Sequence, residues 1–105
     1  MKITLLASFI LMLGFIGMGY MHEMVHIEIF RSYEIESHME WFSHFPDLVT
    51  IAEEPCPTEE CNLAHNINEA ITYPIEIIFL TIGLLMILII LLKERELEMC
   101  ILQKN

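Results

Sequence analysis

ITLLASFILMLGFIGMGYM, residues 3–21, has 19 positions and no charged side chain. An α-helix rises 1.5 Å per residue, so this stretch is about 28 Å long, close to the roughly 30 Å of a bilayer's hydrocarbon core. A second uncharged stretch, IIFLTIGLLMILIILL, fills the 16 positions of residues 77–92 and is about 24 Å long as a helix. Two such stretches in a chain of 105 residues dominate its physics. The expected fold is an all-α membrane protein, a two-span antiparallel transmembrane helical hairpin with a small helical extracytoplasmic cap.

Composition excludes the main alternatives. Apolar residues make up 55 % of the chain, charged residues 19 %, and the mean hydropathy is +0.56. A disordered tail, a disulfide-stapled secreted miniprotein and a soluble enzyme of ordinary size are all incompatible with that balance. The net charge of −10 lacks the basic footprint that nucleic acid requires. Residues 21–73 hold eleven acids and one base, Arg31, while Lys2, Lys93, Arg95 and Lys104 lie towards the ends. Basic residues flanking spans favour the cytoplasm. The expected topology therefore has both termini cytoplasmic and residues 21–73 extracytoplasmic. Lys2 followed by an apolar run also fits a cleavable signal peptide, but the run is long for one, and Gly17-Met18-Gly19 is the nearest approach to a cleavage site.

Along the chain, residues 1–30 read as a first transmembrane helix that continues beyond the membrane, because nothing from Gly19 to Phe30 breaks it. Gly14 and Gly17, with Ala7, would let a neighbouring helix approach closely. Residues 31–57 read as an acidic loop with short helices. One runs from Ser32 to Glu40, with Ile35, Met39 and Phe42 on a shared face; another starts at Pro46 and includes Leu48, Val49 and Ile51. No segment between 31 and 64 reads as a strand long enough to hold a peptide. Trp41, Phe42 and Phe45 are either interfacial anchors or a small core. Residues 58–98 read as one long helix containing the second span, with Thr58 as N-cap, Glu59 and Glu60 in the first turn and a kink at Pro74. Residues 99–105 form a cytoplasmic tail.

Where the first helix leaves the membrane stands His22-Glu23-Met24-Val25-His26. Imidazoles four residues apart share a helix face, one turn above the other, and can hold one tetrahedral metal. The pattern is HExxH, in which the Glu beside the first His serves as general base towards the water the metal activates. Asn68-Glu69-Ala70-Ile71 resembles the stretch that supplies the glutamate ligand in thermolysin-like gluzincins. That resemblance, local to about nine residues, implies a zinc metallopeptidase with His22, His26 and Glu69 as ligands and Glu23 as base. Where the family carries an acid four residues after the ligand Glu, this chain has Tyr73, and its gap from His26 to Glu69 is longer. In an antiparallel hairpin, residues 22–30 lie beside roughly 68–76, and a shift of one helical turn brings Glu69 level with His26.

Other assignments of these residues stay open. His65 and Glu69 are four apart, so His65 is an alternative third ligand, with Glu69 hydrogen-bonding behind it. Met18, Met21 and Met24 near the histidines would suit copper, since thioethers select Cu(I). Glu23 and His26 have the spacing of a di-iron carboxylate site, though a single such pair is thin support. Glu76 lies in the apolar stretch, where an ionisable residue is costly unless it reaches the headgroups. His38 and His44 read as solvated or interfacial. Cys56 and Cys61 would form a local disulfide in an oxidising compartment; the alternative is a zinc site with His65. Cys100 is left as a free thiol.

Two functions follow. The first is a membrane-bound zinc metalloprotease-like protein with its metal site at the outer membrane surface, and with Tyr73, His65, Arg31 or Tyr33 as the oxyanion donor. The alternative is a non-catalytic accessory subunit of a larger membrane complex, with a structural zinc or copper site. Expected partners are membrane lipid and either a membrane protein or a second copy of the chain, and no nucleic acid.

Overall fold

The computed structural model describes residues 1–44 and 47–105, and their side chains except those of 42–44 and 47. Helix α1 spans Lys2–Ser32, strands β1 and β2 span Ser37–His44 and Asp47–Ala52, and helix α2 spans Glu59–Lys104. Both helices are long and apolar enough to cross a membrane. The chain divides into two units. One contains Met1–Phe15 and Glu76–Asn105, the other Ile16–Ile75.

In the first unit the helices pack antiparallel through two glycines. Phe79 of α2 lies over Gly14, where an added Cβ would come within 2.8 Å of the ring, and Leu11 of α1 covers Gly83 in the same way. Gly17, expected to serve like Gly14, has nothing within 4 Å. Hydroxyls in the apolar stretches donate to the carbonyl one turn back, Ser8 to Thr4 and Thr81 to Ile77, each at 2.8 Å. In hydrocarbon this satisfies the polar atom without a partner helix.

Helix α1 has no acid in its own first turn, and α2 supplies one. The Glu94 carboxylate accepts from the backbone N–H of Ile3 at 2.8 Å and of Thr4 at 3.1 Å, and from the Thr4 hydroxyl. It also pairs with the Met1 ammonium at 2.7 Å. These are orphan donors at a helix N-terminus, where negative charge is favoured. The Met1 ammonium and the Thr4 hydroxyl, helped by the two backbone N–H groups, outweigh desolvation and hold the Glu94 carboxyl down at about 2.

In the second unit α1 ends by a Schellman arrangement. Ile35 N–H bonds the Phe30 carbonyl and Glu34 N–H the Arg31 carbonyl, each at 3.0 Å. Glu34 takes the left-handed conformation, φ 60°, that this motif usually gives to glycine. Ile35 is then turned inward and buried. Thr58 caps α2 as expected, its hydroxyl accepting from Cys61 N–H at 3.2 Å, with Glu59 and Glu60 behind it. Helix α2 continues unbroken through Pro74 and on to Lys104, so residues 99–105 are not a separate tail.

The expected helical cap is a β-hairpin. Strands β1 and β2 pair antiparallel, with Ser37 opposite Ala52, Met39 opposite Thr50 and Glu40 opposite Val49. The physical reason lies in β2. Val49-Thr50-Ile51 is a β-branched run that loses rotamer freedom in a helix and packs well on a pleated surface. Paired with it, Ser37, Met39 and Trp41 of β1 share one face by the two-residue period. That face meets α1, where Trp41 stacks on Tyr20 at 6.2 Å. His38 is exposed and within 3.4 Å of Glu40. The expectations for Phe45, Pro46 and the side chains of Phe42 and His44 lie outside the described residues.

Candidate metal centre

Among the described residues, only His22, His26, Ile35 and Cys61 are buried, His22 and His26 exposing 4 % and 9 % of their surface. A unit with so few buried apolar side chains thus encloses two imidazoles, which are costly to bury unless their nitrogens find partners.

The partners come from α2. Its side chains at Cys61, His65, Glu69 and Tyr73 recur every four residues, one turn above another. The α1 residues His22, His26 and Phe30 follow the same spacing in the opposite direction. His22 meets Tyr73 edge-on at 5.1 Å, and Phe30 meets His65 at 4.4 Å between ring centroids. Between these pairs Glu69 is level with both histidines, the one-turn shift considered from the sequence. Asn68 fixes this register by donating to the His22 backbone carbonyl at 3.3 Å, and itself accepts from the Thr72 hydroxyl at 3.1 Å.

The donor atoms converge. His22 Nε2 and His26 Nε2 are 3.1 Å apart, and Glu69 Oε1 is 3.0 Å from the first and 2.6 Å from the second. Ligands on a tetrahedral zinc at about 2.0–2.1 Å stand roughly 3.3 Å from each other, so an ion would enter by opening this triangle a few tenths of an ångström. Two imidazoles and a carboxylate are a donor set suited to zinc. Without an ion, Glu69 Oε1 can accept from both imidazoles. Burial pushes the Glu69 carboxyl up, but hydrogen bonds from His22, His26 and Tyr73 outweigh it and hold the group below the usual carboxylate value. Tyr73, standing where the gluzincin pattern has an acid, thus binds the candidate ligand directly.

His65 lies on the other side of His26. Its Nδ1 is 2.6 Å from His26 Nδ1, the nitrogen facing away from the triangle, and the two rings stack at 4.8 Å. From there it can set the tautomer of His26 by taking or giving one proton, as a partner behind a metal-ligating histidine does. Desolvation, and then the neighbouring His26, lower its pKa, with Glu69 opposing. A neutral ring suits that role.

Glu23 is outside the group of three, whose donor atoms all lie within 4.8 Å of one another. Its carboxylate accepts from the Thr50 hydroxyl of β2 at 2.6 Å, and the same hydroxyl is 3.2 Å from the Glu23 carbonyl. The candidate base is therefore tied to the hairpin, a contact with no sequence signal beyond a threonine in a β-branched run. Met21 is 63 % exposed, and Arg31 pairs with Glu28 at 2.6 Å on the surface. Cys56 and Cys61 form a disulfide with Cα atoms 5.5 Å apart, and Cys100 is free and exposed.

Comparison with protein-family models, with curated proteins and with solved structures returns no match.

Proposed function

We propose that this chain is an integral membrane zinc protein of the metallopeptidase kind, hydrolysing peptide at the outer membrane surface. The observation that carries the reading is the convergence of His22 Nε2, His26 Nε2 and Glu69 Oε1 within 2.6–3.1 Å, two of the three side chains belonging to an HExxH sequence. Zinc, held by His22, His26 and Glu69, would supply Lewis acidity and make hydroxide available near neutral pH. Glu23, beside His22, would be the carboxylate that holds and moves a proton between water and the leaving amine. Thr50 positions Glu23. Tyr73, at the edge of His22, is a candidate donor to a developing oxyanion. The β-hairpin provides what the sequence lacked, strand edges on which an extended peptide can lie next to the base.

The exposed apolar surface of both helices supports a place in lipid. The basic residues at Lys2, Lys93, Arg95 and Lys104 support cytoplasmic termini, with residues 21–73 and the metal outside.

A second reading has its own observation. Glu23 already accepts a hydrogen bond from Thr50 and stands outside the ligand group, which suits a structural metal clamp in an accessory subunit whose exposed helices meet a membrane partner or a second copy. The two readings separate on Glu23→Gln. As a peptidase the chain keeps its zinc and loses roughly 100-fold or more of its hydrolysis of a quenched fluorescent protein substrate, whereas His26→Ala loses both. If the zinc-loaded chain cleaves nothing above the His26→Ala background, the clamp reading replaces the peptidase.

A further inference from the structure

The α2 ladder carries a second set of ligand-type side chains that the first site does not use. Cys61, fully buried, and His65 are four residues apart and therefore on one face, one turn from each other. Cys56 is delivered from the preceding loop. Both sulfurs and one ring nitrogen of His65 lie within 4.8 Å of one another. His65 Nδ1 faces His26. His65 Nε2 is buried and, among the described residues, has no hydrogen-bond partner, so this ring retains an unused donor atom.

We propose that Cys56, Cys61 and His65 form a redox-gated metal site. It is closed while the disulfide is intact and becomes a Cys₂His site for a divalent ion such as zinc once a dithiol has reduced the bridge. The step balances. The dithiol gives two electrons and two protons to the Cys56–Cys61 bond and is itself oxidised to a disulfide. Each cysteine then loses its proton on binding the ion, two protons in all, while His65 contributes a lone pair as neutral imidazole. Sulfurs on a tetrahedral zinc at about 2.3 Å stand roughly 3.8 Å apart, so the pair must separate. Cys61 is fixed in the first turn of α2, and the loop bearing Cys56 supplies the movement. Thiolates with one imidazole prefer zinc or other borderline and soft ions, whereas the first site is built from nitrogen and oxygen alone. The loop therefore senses reducing conditions by taking up metal next to His65, the residue that supports His26.

Cobalt(II) reads this directly, because only sulfur ligands give thiolate-to-cobalt charge-transfer absorption. The full chain carrying Cys100→Ser, in detergent and without oxygen, is titrated with cobalt before and after reduction by a phosphine. The expected result is a band that appears only after reduction and saturates at about one cobalt per chain. It is absent in Cys56→Ser, and its cobalt affinity falls at least tenfold in His65→Ala. Glu69→Gln, which empties the first site, leaves the band intact, so the two sites fail separately. No band from the reduced chain, or equal affinity in His65→Ala, overturns the proposal. So does loss of the far-ultraviolet helical signal on reduction, since the site requires Cys61 and His65 on an intact turn.

Discussion

The hydrogen bond from Thr50 to Glu23 joins the hairpin to the HExxH helix, and Thr50→Val tests it with little change of shape. Valine keeps the β-branched form that β2 favours and loses only the hydroxyl. The bond is 2.6 Å long and ends on a carboxylate. Hydrogen bonds to charged groups contribute about 1.5–3 kcal/mol when well shielded. Both residues here are partly exposed, which reduces the figure to about 1 kcal/mol. The chain should therefore melt roughly 4–8 °C lower in the variant, the shift expected per kcal/mol at about this size. Glu23→Gln keeps an acceptor but removes the charge, so the double variant should lose less than the two single variants together, with a coupling of about 0.5–1 kcal/mol. Zinc content should be unchanged throughout, because neither residue is a ligand. Strictly additive losses would show that the contact does not hold the hairpin to α1, and a loss of zinc in Thr50→Val would show that the hairpin shapes the ligand set instead.

Further outcomes follow from the same geometry. Glu34→Gly relieves a side chain held at φ 60° and should raise stability by about 0.5–1 kcal/mol after the entropy of an added glycine is subtracted, measured by thermal melting in detergent. Gly83→Ala makes the terminal methyl groups of Leu11 move aside and should destabilise by up to about 1 kcal/mol, whereas Gly17→Ala meets open space and should be neutral or stabilising; equal effects would refute the packing described. Glu94 titrates well below its ordinary 4.5, at about 2. A depressed folded-state value means stability that is complete above about pH 4.5 and lost as the pH falls towards 2. Melting curves across that window should slope less steeply for Glu94→Gln than for the native chain, the remainder including Glu69, which is also held below its usual value.

The two long helices and the grouping of His22, His26 and Glu69 could be read from the sequence because each rests on a strong local signal: long uncharged runs, histidines four apart, and a glutamate at hairpin depth. The axial register could not. Residues 22–30 fit beside 68–76 or one turn away, and the choice depends on contacts such as Asn68 to the His22 carbonyl, which no spacing reveals. The hairpin was missed because Ile35, Met39 and Phe42 fit a helical period while Ser37, Met39 and Trp41 fit a strand. In so short a segment, the β-branched run at Val49-Thr50-Ile51 was the deciding signal. Ile35, assigned to the helical face, is instead the inward residue that follows the end of α1. The role of His65 behind His26 depends on which nitrogen faces which ring, and only three-dimensional structure supplies that.

The most direct test of the central claim is elemental analysis of the detergent-purified chain, prepared without chelators, beside His26→Ala and Glu69→Gln. About one zinc per native chain and little in either variant is expected, because three protein ligands are the minimum for a zinc site open to water. A native chain without metal, or zinc retained in full by Glu69→Gln, would contradict it.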